Sequence, residues 1–97
     1  MRKTDKELLE FAAKAGGIDY ARNQYKWNPL AHDGDALRLA IDIFADVCLF
    51  ENAVEVVAYY EQHVAVSRLK FCKTRDKYAS TRRAIVEVAA EIGEAMP

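Results

Sequence analysis

Apolar residues recur along this chain with two different periods, and the change of period marks where helix gives way to strand. Leu8, Phe11, Ala12 and Ala15 stand at i, i+3, i+4 and i+7, the one-sided spacing of an amphipathic helix. Thr4 and Glu7 precede that face at capping-box spacing, and Gly16-Gly17 follow it as a left-handed stop. Ile18 to Tyr20 and Tyr25 to Trp27 are aromatic and β-favouring, parted by Arg22, Asn23 and Gln24. They predict a short strand or irregular hairpin that ends at Asn28-Pro29, where the ladder would lose an amide. A second helix is expected from about Asp35 to Phe44. Asp33 or Asp35 would cap it, and Leu37, Ala40, Ile41 and Phe44 would form its apolar stripe.

Beyond Asp46 the period falls to two. Val47 to Phe50 is a compact apolar run, Glu51-Asn52 a turn, and Val54, Val56, Ala58 and Tyr60 alternate with Glu55, Val57, Tyr59 and Glu61. That pattern predicts a hairpin of antiparallel strands, with a further strand over Val64 to Phe71. After a charged loop at Lys73 to Lys77, Ser80 would cap a last helix striped by Ile85, Val88, Ala89, Ile92 and Met96. The order is α-β-α-β-β-β-α, or αα-βββ-α without the first strand. The expected class is therefore α+β: three helices packed with an antiparallel sheet of three to four strands, as a single layered sandwich over residues 1–97.

Composition changes this picture little. The 97 residues suffice for one core, and 52% hydrophobic with 30% charged is ordinary globular composition. No apolar run reaches membrane-span length, and the charged Met1 to Glu7 stretch lacks the apolar core of a secretion signal. Cys48 and Cys72 lie in apolar runs, so the expectation is two reduced, packed thiols.

Charge distribution is more informative than the net value of −1. Between Asp33 and Glu61 seven acidic residues face one basic residue, Arg38; between Arg68 and Arg83 seven basic residues face one acidic residue, Asp76. Arg68, Lys70, Lys73, Arg75, Lys77, Arg82 and Arg83 would run from a strand end through a loop into a helix N-terminus, a setting suited to phosphates. Phe71 and Tyr78 in the same stretch are candidates for stacking on bases. The bland reading is a solvated surface that pairs with the acidic middle of the chain. Trp27, with Tyr20, Tyr25, Tyr59 and Tyr60, forms an aromatic surplus that suits either an interface or the core.

Catalytic chemistry finds little support. His32, Asp33 and Asp35 do not match a calcium loop, and capping explains the two aspartates better than metal ligation. His63 reads as a strand-boundary residue with no acid-base partner at motif spacing. There is no phosphate loop, no nucleophile elbow and no cofactor motif, so neither a catalytic set, a metal nor a cofactor is expected.

Two segments, WNPLAHDGDALRLA (Trp27 to Ala40) and YASTRRAIVEVAAEIGEAMP (Tyr78 to Pro97), resemble a group of small proteins encoded by tailed phages and prophages. ELLEFAAKAGGI (Glu7 to Ile18) fits the same group, and the element order is similar to the phage ABA sandwich domain, a sheet between helices. The resemblance implies a bacterial cytoplasmic setting and no activity, and it marks Trp27, Asn28, Pro29, Asp33, Gly34, Asp35, Arg82 and Arg83. The expected function is a non-enzymatic accessory protein that binds a host or phage macromolecule, a protein first. Nucleic acid on residues 68–83 is the alternative, and a small ligand-binding or enzymatic site near His32, Asp33 and His63 is the third reading. A homodimer joined along an edge strand at Val64 to Phe71 is also expected from the pattern.

Overall fold

In the computed structural model, which describes residues 3–73 and 75–97, the chain opens with α1 (Asp5–Gly16) as its capping signal requires. Thr4 Oγ1 accepts from the Glu7 amide, and the Glu7 carboxylate accepts from the Thr4 amide. Gly17 closes the helix in the left-handed region at φ 72°, which glycine adopts without Cβ strain. The next segment corrects the sequence expectation. Ile18 to Trp27 is no strand but α2 (Tyr20–Asn23) and turns, with Asp19 accepting from the Arg22 amide as cap. Aromatic content raises strand propensity, but the local Asp19 cap satisfies the amides first.

The second long helix, α3 (Asp33–Asp42), begins two residues earlier than expected, and neither aspartate caps it. His32 holds the N-cap position without a side-chain bond, so Asp33 and Asp35 lie inside the first turn. Its phase also differs from the expected stripe. Ala36, Leu39, Ala40 and Ile43 enter the core, while Leu37 and Ile41 are each 61% exposed and Phe44 is 87% exposed.

β1 (Asp46–Leu49), β2 (Ala53–Tyr60) and β3 (His63–Lys70) form an antiparallel meander in the order β1-β2-β3. The alternation read from sequence holds. Val54, Val56 and Ala58 of β2 and Ala65 and Ser67 of β3 are buried on one face, while Tyr59, Val64, Val66 and Arg68 are exposed on the other.

α4 (Lys77–Ala95) crosses the buried face, lying on β2 and β3, and α1 and α3 pack on α4 in turn. Its cap is Asp76, which accepts from the Ala79 amide; the expected cap, Ser80, is buried and donates to the Arg75 carbonyl. The expected stripe of Ile85, Val88, Ala89 and Ile92 is buried, and so are Ala84, Val86, Ala90 and Gly93 on its other sides. A helix apolar nearly all round is an interior helix. The expected sheet between helices is therefore replaced by a helix between a sheet and helices, four helices in all among the described residues. Among the described residues no helix lies on the outer face of the sheet. α1 and α4 approach so closely that a Cβ on Gly93 would collide with the Phe11 carbonyl.

Candidate functional site

The Trp27 to Asp35 segment is built to be held still. Trp27 is only 8% exposed and belongs to the core. Asn28 Oδ1 accepts from the Leu30 amide, and the Asn28 amide donates to Asp35 Oδ2 at 2.9 Å. Arg82 then ties this loop to α4, its Nε donating to the Leu30 carbonyl at 2.9 Å and a terminal nitrogen meeting Asp33 Oδ1 at 2.7 Å. The conspicuous loop residues thus fix where α3 leaves the core. Nothing in their arrangement points to a metal: among the described residues no group of three or more His, Cys, Asp or Glu side chains is placed to hold one.

His63 is engaged elsewhere. It lies 3.7 Å from Glu91 near the far end of α4, whereas Asp33 is bound to Arg82 near its start. Nine residues of helix separate those anchors, roughly 13 Å of rise. His32, beside Asp35 at 3.4 Å, stays with the α3 start. The three residues of the ligand-site reading are therefore not brought together.

The basic segment divides. Arg83 is clamped by Glu87 at 3.0 Å and Asp5 at 3.2 Å, and Glu87 also accepts from Ser67, so this arginine joins α1, α4 and β3. Together with Arg82 it works inward, as a tie rather than an exposed phosphate ligand. Arg68 stands on the outer sheet face, over the Phe50 ring at 4.9 Å and 3.6 Å from Glu55. Lys70, Lys73 and Lys77 remain exposed, Lys77 next to the Tyr78 ring, and Arg75 is half-buried. Thr74, within the same loop, lies outside the described residues, as do Met1 and Arg2. The aromatic group divides in the same way. Trp27 is core, Tyr20 and Tyr60 are partly buried against it, and Tyr25 and Tyr59 are exposed. Both cysteines are exposed, contrary to the expected packing: Cys48 pairs with Glu55 on the outer face of the sheet, and Cys72 lies in the turn after β3.

What the sequence reading missed is a cleft. α4 covers β2 and β3 but stops short of β1, whose inward-facing residues Val47 and Leu49 are left exposed, Leu49 at 68%. By the strand register they share a face with the buried Val56 and Val54. The unroofed strip becomes a cleft of about 660 Å³ between β1, α3 and the start of α4. Leu37 and Ala40 of α3, Phe50 and Phe71 beside the sheet, and Tyr78 and Ile85 of α4 line it; Asp33, Glu51, Lys77 and Arg82 stand among them. Ile41 and Phe44 continue the apolar surface along α3. A depression of similar volume beside Lys3, Arg75 and Arg83 is polar, and its Asp5, Arg83 and Glu87 charges already satisfy one another. The signal for the cleft was present as two overlapping helical stripes in residues 36–44, of which only one can face the core.

Comparison with models of protein families, with curated proteins and with solved structures finds no match to this chain. No helix among the described residues is long and apolar enough to cross a membrane.

Proposed function

We propose that this chain is a binding module that docks a protein partner in the apolar cleft between α3, β1 and α4. The observation that carries the reading is the outward stripe of α3 continuing into the unroofed β1. Monomeric proteins seldom expose so many large apolar side chains in one place, and an apolar centre edged by a few charges is the composition of an interface. The mixture of aliphatic and aromatic groups suits a partner that inserts apolar side chains while its backbone pairs with the β1 edge. In this reading the protein serves as a phage or prophage accessory factor in the bacterial cytoplasm, as the resemblance of Trp27 to Ala40 and Tyr78 to Pro97 suggests, and it works without catalysis.

The nucleic-acid reading loses Arg82 and Arg83, which are engaged internally, and keeps the exposed Arg68, Lys70, Lys73, Lys77 and Tyr78. The test is a capture experiment from nuclease-treated bacterial lysate that also contains a differently tagged copy of the chain. Wild type is compared with Leu49→Lys and with the Lys73→Glu, Lys77→Glu double variant. Protein capture lost in Leu49→Lys and kept in the double variant supports the cleft. The reverse pattern, or a nucleic acid captured from untreated lysate and lost on nuclease treatment, defeats it.

A further inference from the structure

We propose that the occupant of this cleft is a second copy of the chain, joined antiparallel along β1 with Cys48 at the two-fold axis; this rests on the cleft being a docking surface. The backbone sets the register. The Phe50 amide donates to the Ala53 carbonyl, and the ladder pairs Cys48 with Glu55 and Asp46 with Val57. Hydrogen-bonded pairs alternate along antiparallel strands, so Asp46, Cys48 and Phe50 turn their amides toward β2. Val47 and Leu49 turn theirs to the open edge. A self-pairing that uses both outward residues sets Val47 of each copy opposite Leu49 of the other. Cys48 then faces its own counterpart as the non-hydrogen-bonded pair between them.

Two further observations favour a second copy over an unrelated strand. The apolar side chains of Val47 and Leu49 would meet across the axis on the helix side, where Leu37 and Ile41 are exposed, so one patch would cover itself as an isologous interface requires. The exposed Leu37, Ile41, Val47 and Leu49 would supply the apolar centre of such an interface, which ordinarily buries ~800 Å² per partner. On the outer face, Asp46 of the second copy would lie opposite Phe50, over whose ring the Arg68 guanidinium sits. Asp46 thus comes near the Arg68 guanidinium, which Glu55 already meets at 3.6 Å. The expected edge at Val64 to Phe71 is less suited. β3 carries His63, Arg68 and Lys70, and like charges along an edge oppose self-pairing.

In this register the two Cys48 Cα atoms stand about 4.5 Å apart, within the range a disulfide spans. The test uses the full chain with Cys72→Ser, sedimentation velocity over a concentration series, and diamide as oxidant. Two Cys48 thiols lose two protons and two electrons to the diazene bond of diamide and form one disulfide. The expected result is a dimer mass before oxidation and near-complete cross-linking after it. Both should be lost in Leu49→Pro, which removes an outward amide that β2 does not use, and in Leu49→Lys, which leaves the backbone intact. A monomer at every concentration overturns the proposal, as does a dimer that neither cross-links through Cys48 nor dissociates in Leu49→Lys. If such a monomer still captures a different protein and Leu49→Lys abolishes that capture, the docking cleft survives and the second copy does not. If capture is indifferent to Leu49→Lys, both fall.

Discussion

Replacing Gly93 with alanine sets two effects of opposite sign against each other. Within a helix interior, glycine to alanine ordinarily stabilises by about 1 kcal/mol, because alanine loses less backbone entropy on folding. At Gly93 the added methyl would overlap the Phe11 carbonyl of α1, a backbone obstacle that no rotamer change can relieve. α1 must move off α4, and the buried contacts of Ala12 and Ala13 loosen with it. Overpacking of this kind costs about 1–3 kcal/mol, and a backbone clash belongs at or above the upper end. The net expectation is a loss of about 2 kcal/mol or more, or at least roughly 8–16 °C in Tm for a domain of this size. Gly34→Ala is the internal control. Gly34 sits in the first turn of α3 with nothing within 4 Å of the new methyl, so that variant should match or exceed wild-type stability. Urea titration followed by fluorescence of the buried Trp27 reads both. A Gly93→Ala protein as stable as Gly34→Ala would refute the α1–α4 packing described here.

Leu39→Ala should cost about 2–5 kcal/mol and Leu37→Ala no more than about 0.5, which by urea titration tells the buried phase of α3 from the stripe expected on pattern alone. Arg82→Ala should lower stability by about 1–3 kcal/mol through the part-buried bond to the Leu30 carbonyl. The exposed partner Asp33 adds little to that figure, and Arg82→Lys, which lacks the fork, should not restore it. Glu7 is held below the ordinary carboxylate range, first by its bond to the Thr4 amide and then by the Thr4 hydroxyl. A lowered folded-state value stabilises above the unfolded pKa, and that contribution disappears as pH falls through the folded one. Melting curves from neutral pH to below the carboxylate range should therefore fall less steeply for Glu7→Gln than for wild type.

The elements legible in the sequence were those whose signals are local. Thr4, Glu7 and Gly17 specify α1 through bonds that span three or four residues, and alternation in residues 54–60 and 64–70 specifies which sheet face is buried. Where two readings were locally equal, only tertiary packing decides. Residues 36–44 carry two apolar stripes; the one with two alanines, Ala36 and Ala40, lies inward because α3 runs close to its neighbours, and the bulkier one is left outside. Tyr20, Tyr25 and Trp27 favour a strand by composition, yet the Asp19 cap and the burial of Trp27 fold them as a turn of helix and a loop. The basic run looked like one surface because adjacency in sequence hides direction. On α4, Arg82 reaches toward the Leu30 loop and Arg83 toward α1, and both are neutralised by carboxylates distant in sequence. The exposure of Leu49 follows from where α4 ends its cover of the sheet, and that of Cys48 from its place on the opposite, outer face; no local pattern records either.

The most direct test of the cleft as the working surface is residue-resolved amide hydrogen exchange, comparing dilute, unassembled protein with the partner-bound form. Slowed exchange is expected at the Val47 and Leu49 amides, which face the open edge, with little change at Asp46 and Cys48, already bonded to β2. Protection confined to Lys70 to Lys77, with Val47 and Leu49 unchanged, would contradict it and return the binding surface to the basic segment.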